Sequence, residues 1–162
     1  MEQIPQSQAP LFTIGTAARM LGISVYTLRL YEREGLIVPF KAESNHRLYS
    51  VADLERIACI RRAITEEKMT IAGIRRLHAM IPCWELIPCT VEERRACPAF
   101  RSHDGGCWTA EEKGCVCSTR DCRLCSVYQQ TANCDSIKES IRRLSSAGQL
   151  DAEGVRVKAS VG

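Results

Sequence analysis

Ser24-Val25-Tyr26-Thr27-Leu28-Arg29-Leu30-Tyr31-Glu32-Arg33-Glu34-Gly35-Leu36 is the stretch on which the reading of this chain turns. Ser24 is a strong helix N-cap, Val25, Leu28 and Leu36 mark one apolar face, and Gly35 supplies a C-terminal stop. One short amphipathic helix follows from that pattern. Its outward face carries Tyr26, Thr27, Arg29, Tyr31 and Arg33. Guanidinium groups hold phosphates, and hydroxyl and aromatic groups reach base edges, so this face is a candidate for contact with nucleic acid.

The flanking sequence supports a helix pair. Leu11 to Ile14 reads as a short strand, and Thr16 opens a helix that runs to Leu21 and stops at Gly22. The link Gly22-Ile23-Ser24 then leads into the second helix, an arrangement in which that second helix lies in the major groove. Leu36-Ile37-Val38 is an apolar extended run ended by Pro39, and two extended runs around Lys41 to Asn45 read as a hairpin, or wing, that continues through Arg47 and Tyr49. Ser50 caps a helix from Val51 to about Lys68, with Leu54, Ile57, Ala58, Ile60 and Ile64 at helical spacing and Cys59 as a small core residue. Thr70 caps a further helix, Ile71 to Met80, on which His78 is expected at a partly exposed surface. Pro82 ends this unit, and Met1 to Pro10 reads as a flexible arm.

Composition bounds the class. The 162 residues are 45% hydrophobic and 25% charged, ordinary for a soluble globular chain. No apolar run approaches the roughly 20 residues of a membrane span, and Met1 to Pro10 lacks the basic and apolar blocks of a signal peptide, so a cytoplasmic protein without membrane contact is expected. The net charge of +3 is uneven: residues 1–80 hold 11 Lys or Arg against 8 Asp or Glu, and residues 81–162 hold 11 of each. The surplus sits in the half that carries the helix pair, a weak electrostatic pointer to an anionic partner.

Nine of the ten cysteines lie between Cys83 and Cys134. Where thiols stay reduced, such clustering points to metal or redox chemistry rather than to a disulfide framework. Cys115-x-Cys117-x4-Cys122-x2-Cys125 places four thiols in eleven residues, and a chain turn brings sulfurs at such spacings within reach of one centre. Proline, glycine and cysteine interrupt every apolar run after Cys83, so this segment cannot assemble a large core and is expected to need metal or cross-links. Short helices are expected at 90–96 and 109–113, and Ile137 to Leu144 again shows helical spacing before a frayed tail. The expected organisation is mainly α: an arm (1–10), a winged helix-turn-helix head (11–81), a small cysteine-rich, metal-stabilised module (82–135), and a short helix with a tail (136–162).

Phe12-Thr13-Ile14-Gly15, Ala17-Ala18, Leu21-Gly22-Ile23-Ser24, Thr27-Leu28-Arg29, Tyr31-Glu32, Gly35-Leu36 and Asn45-His46-Arg47-Leu48-Tyr49-Ser50, in this order, resemble the MerR family of bacterial transcriptional regulators. The resemblance implies a homodimer that binds, bends and untwists double-stranded promoter DNA and acts on RNA polymerase indirectly. Carried over residue by residue, it implies DNA contacts from Thr16, Tyr26, Thr27, Arg29, Tyr31 and Arg33 on the helix pair and from Arg47 and Tyr49 on the wing. Family members usually continue into a long antiparallel dimerisation helix. Here Pro82 and Pro88 interrupt that position, which leaves 137–144 and the cysteine module as the means of dimerisation.

Cys83-Trp84, Cys97-Pro98-Ala99-Phe100, Cys107-Trp108 and Cys122-Arg123-Leu124-Cys125-Ser126-Val127-Tyr128 are similar to the "two-CW" cysteine module of signalling proteins, with Phe100 in place of the more usual tyrosine. That likeness implies metal or redox sensing. The candidate ligands are Cys83, Cys89, Cys97, Cys107, Cys115, Cys117, Cys122 and Cys125, with Cys134 as an extra thiol and Trp84 and Trp108 as apolar lids over the sulfurs. An iron–sulfur cluster and a structural zinc ion both suit a thiolate shell, and thiol–disulfide switching is a third possibility. No phosphate-binding glycine loop or His-Glu-x-x-His occurs, so a non-enzymatic regulator is expected. The alternatives are a zinc-stabilised protein-interaction adaptor with a DNA-localising head and, third, an electron carrier or oxidoreductase.

Overall fold

The computed structural model describes residues 5–132 together with Glu139 and Arg142, and at Cys115 the backbone alone. Of the helix expected over 137–144 only Glu139 and Arg142 are described, both helical, and the tail and Cys134 lie outside the described residues. The chain opens with a 3-10 turn at Gln6–Gln8, then β1 (Phe12–Thr13), α1 (Ile14–Leu21), α2 (Val25–Arg33), β2 (Phe40–Lys41), β3 (Arg47–Tyr49), α3 (Val51–Thr65) and α4 (Ile71–Ala79). Five short helices follow: α5 (Cys83–Leu86), α6 (Val91–Ala96), α7 (Pro98–Arg101), α8 (Cys115–Ser118) and α9 (Ser126–Gln129). Mainly α architecture with a small sheet is therefore correct.

Side-chain caps set the helix starts in the head. Thr13 Oγ1 accepts from Thr16 N, Ser24 Oγ from Thr27 N, Ser50 Oγ from Asp53 N and Thr70 Oγ1 from Gly73 N. Thr13 rather than Thr16 thus opens α1, three residues earlier than the sequence pattern suggests. Gly35 ends α2 with φ 69°, where the Leu36 N–H bonds Tyr31 O and the Gly35 N–H bonds Glu32 O. This paired closure satisfies two carbonyls of the last turn and needs a left-handed residue, which glycine adopts without steric cost. Helix α3 stops at Thr65 rather than near Lys68, and Lys68 itself adopts φ 58°.

The three strands form one antiparallel sheet in the order β1-β3-β2, with Phe12 opposite Tyr49 and Phe40 opposite Leu48. Two apolar clusters lie beneath. The first joins Ala17, Ala18, Leu28, Tyr31, Leu36, Ile37, Tyr49, Ile57, Ile60 and Ile74. The second joins Ile81, Ile87, Trp108, Val127 and Tyr128, with Val38 and five cysteines packed against it. Val38 belongs to the head, so the cysteine module is docked on it.

Three expectations need correction. The segment 6–8 is a 3-10 turn whose Gln8 Nε2 donates to Gln129 Oε1 at 2.7 Å, so this part of the arm is tied to the module. Helix 109–113 is absent; a 3-10 turn at Cys107–Thr109 takes its place, whereas α6 falls where expected. Cys59 is half-buried and disulfide-bonded rather than a plain core residue.

Candidate nucleic-acid interface and cysteine cavity

The structure sorts the expected DNA contacts into two groups. On α2, Tyr26 is 71% exposed, and Arg29 and Arg33 are exposed. Thr16 and Thr27 are half-buried, with their hydroxyls 3.1 Å from Thr13 Oγ1 and 2.9 Å from Ser24 Oγ. Their caps leave these hydroxyls at the surface edge. On the wing, Arg47 Nε donates to both Glu32 carboxylate oxygens at 2.7 and 2.5 Å, which binds the wing to α2. Such a charge-assisted pair fixes the angle between α2 and the wing.

Tyr31 and Tyr49 are the second group, at 5% and 0% exposure. Both rings pack in the head core between α2 and the wing, so their expected DNA contact is replaced by a structural role. Burial, reinforced by the Glu32 charge, pushes the Tyr49 phenol up to about 12, and its Oη has no hydrogen-bond partner among the described residues. Burial likewise raises Tyr31, against the opposing effect of Arg61.

In the module, seven of the eight predicted ligands line a single cavity of about 50 Å³: Cys83, Cys89, Cys97, Cys107, Cys117, Cys122 and Cys125. All seven carry free thiols. The eighth, Cys115, has its backbone in α8 and its side chain outside the description. Short turns aim these sulfurs inward: Cys83 starts α5, Cys97 precedes α7, Cys107 starts a 3-10 turn, and Cys122 and Cys125 flank another. Burial pushes Cys83 up to about 11 and Cys107 up to about 12, and their sulfur neighbours add to the effect. Both are therefore neutral thiols at pH 7 in this arrangement. The Lys113 ammonium lies 2.8 Å from Cys122 Sγ, and this contact raises the lysine.

The donor chemistry of this cavity suits a thiophilic metal or an iron–sulfur centre. The spacing does not yet do so: among the described residues no three His, Cys, Asp or Glu side chains close on one point. A bound group would have to draw the thiols together.

His78 differs from its expected surface position. It is 5% exposed, packs on Trp108 with ring centroids 5.3 Å apart, and its Nδ1 has no partner among the described residues. Burial, aided by the Arg56 charge, lowers it to about 4. Arg56 is fully buried; it bonds Asp53 at 3.1 Å and Thr131 Oγ1 at 2.8 Å and lies 4.0 Å from the Tyr128 ring centroid. Trp108 lines the thiol cavity as a lid, whereas Trp84 lies outside its lining and stacks edge-on against Phe100 at 5.3 Å. Sequence reasoning missed the contacts of Trp108 and Tyr128 with the head; their places in the Cys-Trp and Cys-x2-Cys-x-Val-Tyr patterns were the available signal.

Residues 12–80 match the family of MerR HTH family regulatory proteins. HspR of Streptomyces coelicolor, named as a heat shock protein, is 34% identical over 68 residues, covering 42% of this chain and 45% of HspR. The HTH-type transcriptional regulator GlnR of Bacillus cereus is 31% identical over 72 residues, 44% of this chain and 55% of GlnR. The HTH-type transcriptional regulator MlrA of Escherichia coli is 42% identical over 55 residues, 33% of this chain and 23% of MlrA. The chain thus spans about half or less of the length of these relatives. The cap-defined helix pair, the wing paired to it and this match agree: residues 12–80 are a MerR-family helix-turn-helix domain.

Proposed function

We propose that the protein is a DNA-binding transcriptional regulator whose cysteine cavity reads a redox, oxygen or metal signal by taking up a thiophilic group, an iron–sulfur cluster or zinc. The observation that carries the DNA part is the exposed row Tyr26, Arg29 and Arg33 on the second helix of a MerR-type head. Arg29 and Arg33 hold phosphates, Tyr26 reaches toward base edges, and Arg47 of the wing provides a second grip on release from or alongside Glu32. The seven thiols around one cavity support uptake of a thiophilic group, because they supply more than the four thiolates that a tetrahedral zinc ion or an iron–sulfur cluster takes. Cys83, Cys89, Cys97, Cys107, Cys117, Cys122 and Cys125 would hold the group, which supplies a state that changes with oxidant or metal supply. The protein is proposed to act as a homodimer on promoter DNA in the cytoplasm, influencing RNA polymerase through the DNA. Among the described residues no helix is long and apolar enough to cross a membrane.

Anaerobic purification of the full chain with metal and sulfide analysis and absorbance spectra tests the sensing part. Visible bands that bleach with dithionite support the cluster, and colourless protein with stoichiometric zinc supports zinc. Protein that takes up neither contradicts the reading.

A further inference from the structure

Besides the Arg123 guanidinium, 4.6 Å from the ring centroid of Phe40 on the wing, the cysteine module meets the DNA-reading surface at the short stretch Glu34 to Val38, which joins the end of the recognition helix α2 to the start of the wing. Four module residues grip it. Trp108 Nε1 donates to Gly35 O at 2.8 Å, and the Val38 N–H donates to Tyr128 Oη at 2.8 Å. Thr109 packs so tightly on Gly35 that a Cβ there would sit 2.2 Å from Thr109 Cγ2. Asp104 shares Arg75 with Glu34, at 2.8 and 3.2 Å from the guanidinium. Trp108 and Tyr128 meet edge to face at 5.0 Å, and both line the thiol cavity from the other side. Trp108 directly follows Cys107, and Tyr128 lies three residues after Cys125.

We infer that Trp108 and Tyr128 are positioning residues that carry the state of the thiol cavity to the angle between recognition helix and wing within a single chain. The inference rests on the proposal that the cavity takes up a thiophilic group. Cys107 and Cys125 line the cavity, so uptake of a group there repositions both, and the aromatic pair follows because it is joined to them by backbone. The movement reaches Gly35 O and the Val38 N–H, the two backbone groups that the aromatic pair holds. Glu32, the penultimate residue of α2, holds Arg47 of the wing, so a shift of this stretch alters the spacing of both DNA grips. Such coupling acts within one chain and does not depend on a long dimerisation helix.

The test uses the reduced full chain, with zinc alone and, in a second arm, with iron and sulfide under anaerobic reconstitution. Uptake is measured first, then amide hydrogen exchange across 34–38 and affinity for a fixed promoter duplex. In the wild-type chain, loading should change the exchange of the Val38 amide and shift duplex affinity by about 5- to 150-fold, the span of a coupled pair of sites. Tyr128→Phe keeps the ring and removes the hydroxyl, and Trp108→Phe keeps an aromatic group, smaller than indole, and removes the N–H; each should take up the same metal while reducing the shift in affinity to about twofold or less, well under that span. The wild-type exchange measurement stands even where a variant folds poorly. Uptake with unchanged exchange at 34–38 overturns the coupling and leaves the sensing proposal standing. Absence of uptake in both arms overturns both.

Discussion

Acid should destabilise this protein through one residue before general acid unfolding begins. His78 is 5% exposed and lowered to about 4 from 6.5, so between those values the unfolded chain binds a proton that the folded chain refuses. A group whose folded value is depressed contributes least strain when neutral, so stability is full above about pH 6.5 and falls as pH drops toward 4. At 1.36 kcal/mol for each tenfold step, the gap amounts to about 3 kcal/mol between pH 7 and pH 4. The Arg56 charge opposes the proton, Trp108 packs on the imidazole, and Cys83 and Cys107 line the same small cavity without offering a charge at this pH. Urea unfolding of the reduced full chain, with chelator present, from pH 7 to pH 4 measures the loss. Carboxylates also titrate at the lower end, so the deciding quantity is the difference from His78→Leu, which removes the imidazole and fills the site with apolar atoms. The variant should lose about 3 kcal/mol less than the wild type over this range. Equal slopes would refute the reasoning, since they would place the proton on other groups.

Gly35→Ala should destabilise by about 2 kcal/mol or more, from a positive φ of 69° and the 2.2 Å contact with Thr109 Cγ2; pairing it with Thr109→Ser should recover the contact part in thermal unfolding but not the backbone part. Arg29→Ala should weaken duplex binding by about 1 to 3 kcal/mol if it reads a base, and by less with a salt slope reduced by about one if it holds a phosphate. Anisotropy at several salt concentrations separates the two, and unchanged binding removes Arg29 from the interface. Cys125→Ser should abolish metal uptake while the far-ultraviolet circular dichroism of the head persists; global unfolding would instead assign the thiols a purely structural role.

The head was legible because its signals are local. Ser24, Ser50 and Thr70 are caps whose side-chain acceptors satisfy backbone donors three residues on, and Gly35 is a stop whose φ confirms the reason for choosing glycine. The periodic Ile57, Ile60 and Ile74 landed in the core as spaced. Tyr31, Tyr49 and His78 were misplaced because an amphipathic aromatic or imidazole carries no sequence mark of which end is buried; packing from the module decides that for His78 through Trp108. In the cysteine segment, short turns bring neighbouring sulfurs to one side, and Cys117, Cys122 and Cys125 of the dense run share a cavity with four earlier cysteines. Spacing could not reveal the docking on the head. Trp108 to Gly35 spans 73 residues and Arg56 to Thr131 spans 75, and no local pattern encodes such pairs.

The central claim is that the state of the cysteine cavity governs how the head holds DNA. The most direct measurement is the affinity and bend angle of one promoter duplex with the full chain, taken first with the loaded, reduced cavity and again after oxidant or chelator has emptied or altered it. The account predicts a change in affinity of about fivefold or more, or a changed bend at equal affinity, reversed on reloading. Identical affinity and identical bend in both states, with the change in the cavity verified spectroscopically, would contradict it.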